Sequence, residues 1–252
     1  MVSMKAIKKF LKFILFFCNQ ILKFLDLKIV RHSKYLYYLA NTDLNSIELC
    51  NKFGLEVRSI LHIGANTAQE ARWYSTKGIS SAVFIEADPL IYVQMMERLK
   101  LYPNFTGINA CLSKDFGTVD FYQASNNGAS SSILKPHRHL NHYPEVAFKK
   151  PIKLESVPLD SLNLGRFDLI VMDVQGAEHL VIEGGVKQFA LADAIYLECN
   201  SGNLYKLDTD LNSIVKLLDK DFTLASAIMN TFQIGDALFI RRQIIDKLLA
   251  VN

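Results

Sequence analysis

From Ser59 to Arg242 short apolar runs alternate with stretches of helical spacing, and this rhythm constrains the fold more than any other feature of the chain. SILHI reads as a first strand and AQEARWYSTK as a helix capped by Gly78. AVFIEA is a second strand, after which Asp88 caps a helix opened by Pro89. FTGINACL is a third strand, and GTVDFYQA alternates as a half-exposed one. FDLIVMDV, DAIYLECN, FTLASAIMN and DALFIRR supply the remaining strands, with helices GAEHLVIEGGVKQFA and DTDLNSIVKLLDK between them. Strands alternating with helices predict an α/β fold: right-handed crossovers and a mostly parallel sheet covered by helices on both faces. The last two strands, joined by the turn-rich TFQIG, suit an antiparallel pairing.

Four segments follow from this reading: residues 1–31, a helical lead-in over 32–58, a main domain over 59–242, and a C-terminal tail over 243–252. Within the main domain the rhythm stops between about 124 and 152, where the text turns polar and holds three of the six histidines, His137, His139 and His142. A long irregular insert in a compact domain is commonly a functional loop, and a polar lid is expected here. The four cysteines are widely spaced without a C-x-x-C pair, which suits a reducing cytoplasm.

Charge divides the chain unevenly. Residues 1–31 carry seven Lys or Arg against Asp26 alone, so the overall +3 leaves the body mildly acidic. Such a body offers no broad positive face for phosphates, and nucleic acid is not an expected partner. Wound as a helix, Lys5, Lys8, Lys9, Lys12, Asn19, Gln20, Lys23 and Asp26 share one side, while Ile7, Phe10, Leu11, Ile14 and Leu22 are among those on the other. The longest unbroken apolar run is Phe13 to Cys18, far short of the ~20 residues that cross a membrane. The pattern predicts a basic amphipathic helix whose residues 5–26 lie on an anionic membrane surface, peripheral to the cytoplasmic face. Packing on the body or a partner, and secretion, are the alternatives, the last poorly served by the lysine in the apolar region.

The turn Gly64, Ala65, Asn66 follows the first strand, where ligands of parallel sheets bind. Either it is a tight β–α turn and nothing more, or glycine's freedom of φ lets a ligand touch the backbone. Glu86 ends the second strand about 20 residues on, where an acid takes both hydroxyls of a ribose. The G-x-G-x-x-G fingerprint begun at Gly64 fails at Asn66 and Gln69, and no Walker lysine is present, which disfavours a nicotinamide oxidoreductase and a phosphate cradle. A ribose without that cradle points to S-adenosylmethionine.

HIGAN, FIEADP, NGASSSIL, LDSL, DLIVMDVQGAEHLVIEGG and YLECN, in this order over roughly residues 59–240, resemble the FkbM-type S-adenosylmethionine-dependent methyltransferases. The resemblance implies a class I methyltransferase fold, Rossmann-like, of seven strands with the last antiparallel. It further implies methyl transfer to a hydroxyl of a sugar, glycolipid or natural product. Cofactor contacts would fall on His62, Gly64, Ala65, Asn66, Glu86, Ala87, Asp88 and Asp173, with His62 standing where such proteins commonly place an acid. Ala68 replaces a frequent glycine, a mild change if it sits in the helix AQEARW.

Asp173, ending its strand at the crevice, is by this analogy the expected base or acceptor-orienting group, and Glu178 the second catalytic candidate. Their structural alternatives are a cap on the following helix and a helix surface charge. Asp173, Glu198 and Asn200 could together ligate a divalent metal, but substrate hydrogen bonding without one is the expectation. Ser130 to Ser132 belong to the loop closing over the acceptor. A different class of reading is a catalytically silent, membrane-attached binding module on the same fold.

Overall fold

The computed structural model describes residues 27–32, 35–40, 46–200, 203–229 and 234–251, so the basic segment 5–26 lies outside the described residues. The helical lead-in expected over 32–58 is corrected. Strand β1 (Leu27–His32) pairs antiparallel with β2 (Tyr35–Ala40), and only α1 (Ser46–Lys52) is helical before the main sheet. The run YLYYLA is short and aromatic, a composition that favours pleated backbone over a helix.

The main domain then runs β3 (Ser59–Ile63), α2 (Ala71–Thr76), β4 (Ser81–Glu86), α3 (Pro89–Leu99) and β5 (Phe105–Asn109). FTGINACL breaks after Asn109: β5 stays in the large sheet, while β6 (Cys111–Leu112) joins β7 (Gly117–Phe121) and β8 (Ile152–Val157) in a three-stranded one. Beyond the insert come β9 (Leu169–Met172), β10 (Ala194–Asn200), β11 (Phe222–Met229) and β12 (Ile234–Arg241). The seven-stranded sheet has the order β11-β12-β10-β9-β3-β4-β5, and β12 is antiparallel to both its neighbours. This is the Rossmann-like α/β architecture of the class I methyltransferases. The chain leaves β3 toward β5 on one side and β9 toward β12 on the other, so the switch in strand order falls between β3 and β9.

Alternation along β3 explains why both faces are covered. Leu61 and Ile63 point to one side and pack with Ile170 and Met172 of β9. That side meets Val181 and Ile182 from α4 (Glu178–Gly184), Phe189 from α5 (Val186–Leu191), and Ile214 and Leu218 from α6 (Leu211–Leu218). Ile60 points to the opposite side, with Phe84 and Leu169, under Leu49 of α1, Tyr74 of α2 and Met95 of α3. All of these strand residues are essentially inaccessible to solvent, each worth roughly 1.5–3 kcal/mol of burial. The segment expected as a tail is the helix α7 (Arg242–Val251).

Between β7 and β8 the chain has one short helical turn, His139–His142, and otherwise irregular backbone. It folds back on itself: Tyr122 and Ser132 exchange backbone hydrogen bonds, Ala124 bridges Phe148, and Pro136 bridges Tyr205. His139 is only 2% exposed and rests among the rings of Tyr143, Phe148 and Tyr205. The expectation of a uniformly polar lid is corrected at this residue, which helps the loop build a small core of its own.

Gly64 has φ +74°, and a Cβ there would fall 1.7 Å from the carbonyl oxygen of Asp173. Gly54 has nearly the same φ, +71°, with nothing within 4 Å of a Cβ. Gly54→Ala is therefore expected to cost about 1 kcal/mol through backbone strain alone, and Gly64→Ala about 3 kcal/mol or more through strain plus collision. Urea denaturation of both variants separates the two contributions; equal losses would show that the approach of the two backbones is not tight.

Candidate active site

A cleft of roughly 950 Å³, counted out to its open mouth, lies at the C-terminal ends of β3, β4 and β9. Its wall brings together His62, Gly64, Ala65, Asn66, Glu86, Ala87 and Asp173, all singled out from the sequence. Asp88 and Glu178, also singled out, do not line it.

The turn after β3 is fixed by its backbone. The N–H groups of Gly64 and Ala65 both donate to the Ile85 carbonyl of β4, at 2.9 and 3.0 Å. Asn66 adopts φ +47°, a left-handed conformation that asparagine tolerates better than most residues, and its side-chain amide donates to the Asn127 carbonyl of the insert. Ala68 has φ +51° and precedes α2, which starts at Ala71. The expectation that helical backbone makes alanine benign at position 68 is thus corrected: it occupies a conformation costing about 1 kcal/mol for a residue with a Cβ.

Glu86 accepts one backbone N–H on each carboxylate oxygen, from Asn66 to Oε2 and from Asp88 to Oε1, both at 2.8 Å. Each oxygen keeps a lone pair for a further donor. The two hydrogen bonds favour the charged form, but burial outweighs them and pushes the carboxyl up to about 7. Asp88 instead caps α3 through Oδ1 to the Leu90 N–H, and its Oδ2 receives the Gln123 amide at 2.6 Å. Its contribution to the site is the N–H that holds Glu86.

His62 is 6% exposed, with Nδ1 3.1 Å from the Tyr74 hydroxyl and its ring beside Phe84. Burial lowers its pKa, so the ring is neutral at physiological pH despite the opposing charge of Glu70. Glu70 lines the same cleft just before α2 and was not anticipated from the sequence, since no motif marks it. Ala110, Cys111, Leu112 and Phe121 add an apolar wall beyond β5, equally unmarked because the strand break after Asn109 was not visible.

Opposite the glycine turn, Asp173 follows β9 and opens the loop Val174, Gln175, Gly176. Gln175 and Gly176 both take positive φ, +54° and +95°. Glu178, 3% exposed, accepts the Val174 and Gly176 N–H groups on Oε1, both at 3.2 Å. The sequence placed Glu178 among the catalytic residues; the structure uses its carboxylate to hold the loop that carries Asp173 and Gln175. The side-chain amide of Gln175 donates to Asp173 Oδ1 and to Glu198 Oε2, each at 2.7 Å.

Asp173 and Glu198 also hydrogen-bond to each other and share a proton. Burial raises both; the charge of Asp173 adds to the effect on Glu198, which is pushed up to about 10 and holds the proton at neutral pH. Asp173 is left as an acceptor at the edge of the cleft, from Glu198, from the Gln175 side-chain amide and, at 3.4 Å, from the Gln175 N–H. Among the described residues, no group of three or more His, Cys, Asp or Glu is arranged to hold a metal ion. Ser131 and Ser132 line the cleft from the insert, and the Ser132 hydroxyl donates to the Gln175 carbonyl at 2.9 Å. No described helix is long and apolar enough to cross a membrane.

Comparison with known proteins places the chain among methyltransferases. The family model of the methyltransferase FkbM domain matches residues 62–224. Over 170 residues the chain is 32% identical to 2-O-methyltransferase NoeI of Sinorhizobium fredii (strain NBRC 101917 / NGR234), covering 63% of this chain and 70% of that protein. Among solved structures, methyltransferase FkbM from Methylobacillus flagellatus KT aligns with a TM-score of 0.48 and 16% identity, over 74% of this chain and 45% of that one. Magnesium protoporphyrin IX methyltransferase from Synechocystis PCC 6803, solved with bound SAM, aligns at 0.45 and 12%, over 77% of this chain and 74% of that one. With the family model spanning the sheet from β3 into β11 and so including both sides of the cleft, the chain belongs to the FkbM methyltransferase family.

Proposed function

We propose that the protein transfers a methyl group from S-adenosylmethionine to a hydroxyl oxygen of a sugar, glycolipid or similar polyol. The single observation that carries this reading is that Glu86 and Asp173 line one cleft on either side of the Gly64 turn. The donor set fits the cofactor: Glu86 has a free lone pair on each oxygen for the ribose hydroxyls, and the wall of Ala110, Leu112 and Phe121 suits an adenine. Glu70 takes the ammonium of the methionine end, the task that an acid at position 62 performs elsewhere. A relative named for 2-O-methyl transfer favours oxygen as the accepting atom.

Bound there, S-adenosylmethionine supplies a methyl group on a sulfonium, whose C–S bond breaks with its electron pair left on sulfur as the acceptor oxygen attacks. Asp173 orients that oxygen and receives its proton. Glu198 steadies Asp173 by donating its own proton, and Gln175 fixes the separation of the two carboxyl groups. Ser131, Ser132 and the apolar wall exclude bulk water from the reacting atoms. The sequence of residues 5–26, whose lysines would fall opposite its apolar residues if wound as a helix, supports attachment to an anionic membrane surface, where lipid-linked acceptors reside.

Asp173→Asn is expected to lower kcat by about 10²–10⁴ while leaving S-adenosylhomocysteine affinity little changed, measured by radiolabelled methyl transfer and calorimetry. Equal loss of binding and turnover would remove Asp173 from the proton step. Glu70→Gln is expected to weaken S-adenosylhomocysteine binding about tenfold, and an unaltered Kd would place the ammonium elsewhere.

A charged Glu86 accepts strongly on both oxygens at once, whereas the neutral acid is a weaker acceptor, so binding of the ribose hydroxyls favours release of its proton. Affinity for S-adenosylhomocysteine therefore falls as pH drops through about 7 and levels off above it, and Glu86→Gln flattens the curve. Titration calorimetry in buffers of different ionisation enthalpy reads the released proton directly.

A further inference from the structure

A second pocket, roughly 830 Å³ out to its mouth, adjoins the donor cleft. Ala129 and Gln175 line both, so the wall between them is one side chain thick. The amide of Gln175 spans that wall, bonded to Asp173 on the donor side and to Glu198 on the far side. Ser125, Asn126, Ser130, His139, Tyr143 and Glu145 complete the polar part of the second pocket. His139 is 2% exposed, yet its Nδ1 has no hydrogen-bond partner. A buried ring nitrogen left unpaired costs stability and calls for a ligand or another compensating purpose.

We propose that this pocket is the acceptor subsite and that it takes a neutral, polyhydroxylated ring, with His139 and Glu198 hydrogen-bonding its hydroxyls. The proposal rests on the reading of the adjoining cleft as the methyl-donor site. Position supports it, because a ring seated here meets Glu198, whose partner Asp173 lines the donor side of the shared wall. Charge selects the class of ligand. Among the described residues no Lys or Arg lines the pocket, while Glu145 and Glu198 do, so a phosphorylated sugar or a sugar acid gains no counter-charge. Hydroxyl groups, which both donate and accept, suit a histidine nitrogen and a carboxyl group together.

The test is calorimetric titration of the full chain, with and without saturating S-adenosylhomocysteine. The probes are methyl α-D-glucopyranoside, methyl α-D-mannopyranoside and methyl α-L-rhamnopyranoside, with methyl β-D-glucuronide as the anionic comparison. At least one neutral glycoside is expected to bind, with the glucuronide about tenfold weaker or more. His139→Phe keeps the ring packing and removes the nitrogen; it is expected to weaken the glycoside about tenfold and leave S-adenosylhomocysteine affinity unchanged. Should that variant fold poorly, Glu198→Gln, nearly isosteric with the protonated acid, is expected to produce a loss of similar size.

The proposal is overturned if no neutral glycoside binds, if the glucuronide binds as well, or if both substitutions leave glycoside affinity unaltered. Failure of S-adenosylhomocysteine itself to bind the unaltered chain would instead count against the donor-site reading. In that event the glycoside titrations without it still decide the pocket.

Discussion

The contact on which the site depends is between two backbones. Gly64 leaves β3 so close to the Asp173 carbonyl that no side chain fits between them. That proximity sets the turn proposed to meet the donor beside the residue proposed to meet the acceptor. Two hydrogen bonds from the turn to Ile85 then tie it to β4, so the ends of three strands act as one platform. Flexible loops do not hold reacting groups to the required tolerance; a sheet edge pinned in this way does.

Desolvation is the second organising force. Glu86, Glu178, Asp173 and Glu198 are all carboxyl groups whose burial raises their pKa. Their environments nevertheless separate them by task. Glu178 spends its charge on two loop N–H groups, and Glu86 accepts two others while retaining capacity for a ligand. Asp173 and Glu198 divide a single proton, which leaves one of them able to accept and the other able to donate. Replacing Glu178 or Glu86 by an apolar residue would take the acceptor from two backbone N–H groups at once.

The succession of strands and helices was readable because β–α alternation and apolar runs encode it directly, and the glycine turn, Glu86 and Asp173 could be located as strand ends. Other parts were hidden for physical reasons. YLYYLA is aromatic or apolar at every position, so neither the period of a helix nor that of a strand stands out, and it forms β2. Glu178 and Asp88 looked like site acids because sequence gives position along an element but not the direction of a carboxylate. Glu70 and His139 gain their places from tertiary packing, which brings an unremarkable helix-start acid to the cleft and a loop histidine into a ring of aromatics. Ala68 shows the reverse: a favourable residue for a helix, placed where the backbone is left-handed.

Cys111 lies in the apolar wall of the donor cleft, 4% exposed, with its thiol pushed up to about 12 by burial. A sulfur so reluctant to ionise is a poor methyl carrier. The chemistry therefore favours one displacement, with donor and acceptor on the enzyme together and the three hydrogens of the methyl turning inside out as it moves. A chiral methyl group, labelled with three hydrogen isotopes, would record that inversion in the product.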